Sequence, residues 1–151
     1  MGSTTKYNLP YPEQSDFADI PKDMKKLAEK IESTIDKSTE IETITNENGT
    51  AIKYPDGRLE CRLNETKTDI AMNRPYGSTG LYMGSYYWTF PVPFTNNPTV
   101  ICGMFRGGTG ASWGICTGST KSTASLVGLD VVSREAGTDV KLQAVASGYW
   151  K

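Results

Sequence analysis

Between Asp16 and Ile44 the apolar residues Phe17, Ile20, Met24, Leu27, Ile31 and Thr34 recur at alternating spacings of three and four, with Lys25, Lys26, Glu29, Lys30 and Glu32 between them. That spacing predicts a helix with one narrow apolar stripe, capped by Asp19 or Ile20 and with Pro21 in its first turn. A stripe so narrow on four or five turns buries too little to hold the helix alone. It either lies on the rest of its own chain or bundles with other copies, and fewer than three heptads do not choose between these. Ile35, Ile41 and Ile44 carry apolar positions onward into a β-branched stretch that favours extended backbone, and Asn46 to Gly49 mark a boundary. Residues 1 to 15, polar and broken by Pro10 and Pro12, read as an extended arm.

Past Gly49 the period changes to two. Thr50 to Tyr54, the turn signal Pro55-Asp56-Gly57 and Arg58 to Leu63 predict a hairpin. Further strands are expected over 67–72, 80–91, 99–106, 111–116, 122–133 and 138–150, separated by Gly, Asn or Pro, as in an antiparallel sandwich. In the long aromatic run, Tyr86, Trp88 and Phe90 share one face and Tyr87 and Thr89 the other; Trp88, Phe90 and Phe94 are assigned to the core. In the last strand Val140, Leu142, Ala144 and Ala146 form the buried side. The expected layout is mainly β: an arm over 1–15, a helical stalk over 16–45 and an antiparallel β-sandwich head over 46–151.

Composition narrows the chemistry. The 151 residues suit one core and a short accessory segment. A formal net charge of −1, without a dense basic run, makes nucleic acid an unexpected partner. No stretch of 18 apolar residues occurs and the N-terminus has no apolar secretion segment, so synthesis in the cytoplasm without membrane insertion is expected. Cys61, Cys102 and Cys116 form no metal-type pair and are read as reduced, buried thiols. Histidine is absent, which removes the usual general base, the usual zinc ligand and every Ser/His or Cys/His nucleophile.

The phrases NENGTAIKYPDGRLEC, SYYWTFPVPFTNNPTVICG and VKLQAVASGYWK resemble the C-terminal receptor-binding domains of phage tail-fibre and baseplate proteins. The run W-x-F-P-x-x-F-x-x-x-P-x-V is also similar to that of H-type lectin domains, β-sandwiches that trimerise and bind sugars. The segment YNLPYPEQSDFADIPKDMKKLAEKIE looks like the linker helix that precedes such heads. The resemblance implies a homotrimer on a virion. Its coiled-coil-like stalk would be built from Phe17, Ile20, Met24, Leu27 and Ile31, with β heads around a threefold axis.

It assigns no ligand contacts, and these are read from residue chemistry. Sugars are held by aromatic faces and planar polar groups, and the head offers Tyr76, Tyr82, Tyr87, Trp113 and Tyr149 beside Arg106, Asp130, Arg134 and Asp139. Tyr82, Tyr87, Arg106, Trp113, Asp130 and Arg134 are the chosen candidates. The glycine-rich stretch from Arg106 to Trp113 lacks the Gly-Lys-Ser/Thr ending of a phosphate loop and reads as a hairpin loop. Asp130, Glu135 and Asp139, or Asp56 and Glu60, could pair for glycoside hydrolysis, but turns and loops explain Asp56 and Glu135, and none is marked out by spacing. No catalytic residue, metal site or cofactor is expected.

The leading expectation is therefore a non-enzymatic tail adhesin, its heads attaching to cell-wall or capsule saccharide and gaining strength from avidity. The alternatives are a connector that binds another tail or baseplate protein, a small glycan depolymerase and a free-standing defence lectin.

Overall fold

The computed structural model describes residues 2–11, 19–106 and 111–151, without the side chains at 20, 37, 38 and 106. The chain forms two compact units, residues 1–41 and 42–151, and is mainly β, with one helix among the described residues.

In the first unit, β1 (Gly2–Ser3) pairs antiparallel with β2 (Pro10–Tyr11), so the arm folds back on itself instead of running extended. Thr4 closes this small hairpin by accepting from the Leu9 amide at its side-chain oxygen, 3.0 Å away. Helix α1 spans Ile20–Thr39, shorter than the stalk expected over 16–45. Asp19 caps it, accepting from the Lys22 amide at 3.3 Å, and Pro21 lies in the first turn where no amide partner is required. Lys25 and Glu29 add one exposed i,i+4 pair. Tyr7 and Leu9 of the arm line a hollow against Ile31, Thr34 and Ile35, while Met24 stays 67% exposed. Phe17 and the Ile20 side chain lie outside the described residues.

The second unit starts at β3 (Glu42–Asn46), which pairs with β4 (Gly49–Lys53). The boundary expected at 45/46 thus falls inside a strand: the β-branched Thr43, Ile44 and Thr45 join the head. The Pro55-Asp56-Gly57 turn leads into β5 (Arg58–Lys67), with Gly57 at φ +98°, a left-handed conformation that a side chain would strain. Residues 68–72, expected as a strand, leave the sheet and make only a single bridge, Met72 to Arg134. Then follow β6 (Arg74–Pro75), β7 (Tyr82–Thr89), β8 (Thr99–Arg106), β9 (Ser112–Ser119), β10 (Thr123–Asp130) and β11 (Val140–Tyr149).

Two antiparallel sheets result, ordered β3-β4-β5-β11-β8 and β6-β7-β10-β9. They share one core in a sandwich-like arrangement. Leu59, Cys61, Leu63, Leu142, Ala144 and Ala146 face Trp88, Ala124 and Leu126 across it, with Phe90 and Phe94 at one end. Trp88 stands edge-on to Phe90, with ring centroids 4.9 Å apart, and Phe90 stands edge-on to Phe94 at 5.0 Å. The expected alternation in β11 is present, since Val140, Leu142, Ala144 and Ala146 are buried and the residues between them exposed.

One rung of the four-stranded sheet consists of glycine on three strands, Gly84 paired with Gly128 and Gly128 with Gly114. Met72 and Met104, both fully buried, fill the space those missing side chains leave. Flexible thioethers suit such a gap.

Candidate functional site

Register places one end of the head far from the other. Glu42, Lys53, Leu59 and Gly148 lie in line across the five-stranded sheet at the end where the chain enters from α1. Lys67, Val140 and Arg106 lie at the other end, and in the second sheet Tyr82, Asp130 and Ser112 form its terminal rung. Since β11 alone has ten residues, the two ends stand about 30 Å apart.

Five of the six candidate ligand contacts gather at the far end. Tyr82 opens β7, Arg106 ends β8, Trp113 is the second residue of β9, Asp130 ends β10, and Arg134 lies in the following loop. Tyr87, 76% exposed, projects from the same outer face as Trp113 but is paired four residues further along β10, about 13 Å away in that direction. The Arg106 side chain and residues 107–110 lie outside the described residues. Tyr76 and Trp113 are both exposed here, with Val131 and Val132 beside them.

Asp130 has an internal role. It is 1% exposed, and its carboxylate accepts from the Val132 amide at 2.8 Å, bracing the turn that leaves β10. Arg134 is anchored through its backbone, donating to Met72 O at 3.0 Å and accepting from the Met72 amide at 2.8 Å. Its Nε is buried and meets no acceptor among the described residues. A buried donor of that kind is uncommon and marks a group able to receive an outside acceptor. Along the same outer face Arg74 donates to the Ser85 hydroxyl at 2.6 Å, and Thr117 to the Ser125 hydroxyl at 3.1 Å.

The entry end carries a cleft that reading along the chain missed. It measures about 300 Å³ and is lined by Tyr54, Arg58, Leu59, Glu60, Ser147, Gly148 and Tyr149. Its parts lie some ninety residues apart and meet only because β5 pairs with β11, setting Arg58 opposite Tyr149 and Glu60 opposite Ser147. Tyr149 had a place among the sugar-stacking candidates and Glu60 among the carboxylates, but nothing along the chain linked them.

Of the carboxylates considered for hydrolysis, Asp56, Glu60 and Glu135 have structural partners, as Asp130 does in its own turn. The Arg58 amide, and after it the Arg58 guanidinium, hold Asp56 below the usual carboxylate range, and the same contact raises Arg58. Glu60 is hydrogen-bonded to Arg62, and Glu135 accepts from Asn73 at 2.9 Å. Among the described residues no group of three His, Cys, Asp or Glu comes together to hold a metal, and no helix is long and apolar enough to cross a membrane. The three cysteines are free thiols; burial raises Cys61 to about 11 and also raises Cys102.

A third surface lies on the outer face of the five-stranded sheet. Ile101 is 73% exposed and sits opposite Val145, in a shallow groove of about 410 Å³ that also includes Arg62, Asn64, Gly103 and Gln143.

Compared with known protein families, curated proteins and solved structures, the chain matches none of them.

Proposed function

We propose that the protein is a non-enzymatic, trimeric receptor-binding component of a phage tail fibre or baseplate, whose β head attaches a virion to saccharide on the host surface. The observation that carries this reading is the opposition of the head's two ends. The chain enters at Glu42, and the exposed aromatic rings of Tyr76 and Trp113 stand at the far side, where Tyr82 and Arg134 also lie. An adhesin needs that polarity, with attachment at one end and contact at the other. The apolar positions Met24 and Ile31, left exposed on α1, are where helices of other copies would close the stalk. Weak sites on three heads acting together would supply the avidity.

The test is capture of the purified protein on a panel of immobilised bacterial cell-wall and capsule polysaccharides. At least one polysaccharide should retain it, and Trp113→Ala and Arg134→Ala should each reduce retention at least about fivefold, a loss of about 1 kcal/mol per site. No retention across the panel, or retention indifferent to both substitutions, overturns the reading.

A connector that binds another tail or baseplate protein is the second reading, favoured by the exposed Ile101–Val145 groove. Ile101→Lys would then abolish incorporation into tails and leave saccharide capture intact.

A further inference from the structure

We infer that the cleft between Tyr54 and Tyr149 is a second saccharide site, one that takes a single neutral pyranose unit at the end of the head opposite the far loops. The assignment goes beyond the adhesin reading and stands on the chemistry of the cleft itself.

The charges that line the cleft are already answered from within. Arg58 Nε donates to Asp56 at 2.7 Å, and Glu60 is bound to Arg62. A phosphate or carboxylate entering here would lose hydration and find no uncompensated cation among the lining residues, which disfavours an anionic ligand. A neutral ring bearing hydroxyls is suited instead. The guanidinium of Arg58 keeps N–H donors beyond the one used by Asp56, Glu60 offers a second carboxylate oxygen, and the Tyr54 and Tyr149 phenols and Ser147 can both donate and accept.

The apolar face of a pyranose needs a ring to lie on. Tyr149, 56% exposed, supplies it, whereas the Tyr54 ring is covered by the Arg58 guanidinium at 4.7 Å from its centroid. The volume is at the lower end for small-molecule sites, roughly 300–1,000 Å³, which suits one sugar residue.

A peptide is disfavoured by topology. The cleft lies over β5 and β11, both interior strands, so no free strand edge is present for an extended chain to pair with.

The cleft is also held in shape before any ligand arrives. The Tyr54 amide donates to Arg58 O at 2.9 Å and the Gly57 amide to Tyr54 O at 3.0 Å. The Trp150 amide donates to Gly57 O at 3.0 Å, and the Trp150 indole to Tyr54 O at 3.2 Å. Lys151 reaches Pro55 O at 2.6 Å. A hairpin tied at so many points loses little freedom on binding, which favours affinity for a small ligand.

The experiment is saturation-transfer NMR on the full chain with methyl glycosides of glucose, galactose and mannose and with N-acetylglucosamine, against glucuronate and glycerol phosphate at equal ionic strength. At least one neutral sugar should bind more tightly than either anion. Tyr149→Ala should weaken it at least about tenfold, Tyr149→Phe should retain most of the binding, and Lys141→Ala, at the far end of the same face, should leave it unchanged. Ser147→Leu fills the cleft without removing a ring and should abolish binding even if Tyr149→Ala folds poorly. Preference for an anion, absence of binding by every neutral sugar, or binding that survives both Tyr149→Ala and Ser147→Leu overturns the assignment. Failure here would leave polysaccharide capture through Trp113 and Arg134 untouched, and failure of that capture would leave binding in the cleft untouched.

Discussion

A Cβ placed on Gly114 would stand 2.1 Å from the backbone nitrogen of Met104, so the β9 strand and the β8 strand touch through main chain at that point. Neither atom belongs to a side chain that can swing away. Gly114→Ala should therefore cost more than an ordinary overpacking substitution, about 3 kcal/mol or more, and lower the thermal midpoint of the head by well over ten degrees. Gly128→Ala, in the same rung, meets the terminal methyl of Met72 at 2.9 Å and the Met104 Cγ at 3.1 Å before any backbone atom and should cost less, about 1–2 kcal/mol. Thermal denaturation of the two variants tests the order; an equal or reversed ranking would contradict close main-chain packing at Gly114.

The Trp88 indole is 1% exposed and donates to Asn48 O at 2.8 Å, joining the core to the β3–β4 turn. Trp88→Phe should keep most of the packing but lose that bond, a cost of about 1–3 kcal/mol. Trp88→Ala should cost about 3–5 kcal/mol, because the edge-on contact with Phe90 goes as well. Urea unfolding of both variants checks the difference.

Burial raises the Cys61 thiol from 9.0 to about 11, while its Sγ donates to Val92 O at 3.7 Å. Above pH 9 the unfolded chain loses this proton before the folded one does, so the unfolded state is favoured as pH climbs. The contribution is fully present below pH 9 and is lost as pH rises through about 11, an effect on the order of 1–2 kcal/mol after allowance for screening. Unfolding measured from pH 8 to 11 should show a steeper decline for the native sequence than for Cys61→Ala. Parallel curves would mean that Cys61 is less enclosed than its packing indicates.

If α1 closes a stalk, the charge of a single residue should open it. Met24→Glu and Ile31→Glu are expected to convert a particle of three chains into a monomer in light scattering across a dilution series, with the thermal midpoint of the head unchanged. A native chain that is monomeric throughout would remove the stalk from the functional reading.

Much of the head was legible because β-strands write their burial with period two. The core placement of Trp88 and Phe90 and the buried side of β11 follow from alternation, and the Pro55-Asp56-Gly57 turn from its residue types. Asp19 as helix cap was legible for the same local reason. What stayed hidden depends on register. Gly84, Gly114 and Gly128 fall in three separate expected strands, and nothing along the chain relates them until the pairing of β7, β10 and β9 aligns them. The entry-end cleft was invisible because Tyr54 and Tyr149 are neighbours only through the β5–β11 ladder. Asp130 is a ligand candidate by residue type alone, as a planar polar group, and residue type does not show that its carboxylate is 1% exposed and bound to the Val132 amide. Residues 42–45 fall in the expected stalk because their apolar positions follow on from the helix, although their β-branched residues already favour a strand.

The pairing of Glu42 with Lys53 at the head's entry determines how the head would carry a load. A pull between Glu42 and the strand ends at Arg106 and Asp130 runs along the strands, at right angles to the hydrogen bonds that join them. Those bonds then share the strain side by side, and the β3–β4 ladder slides as a unit before it can part. The same pull applied across the sheet would open the bonds one at a time, so the head is mechanically strongest along the line from where its chain enters to the opposite ends of its strands.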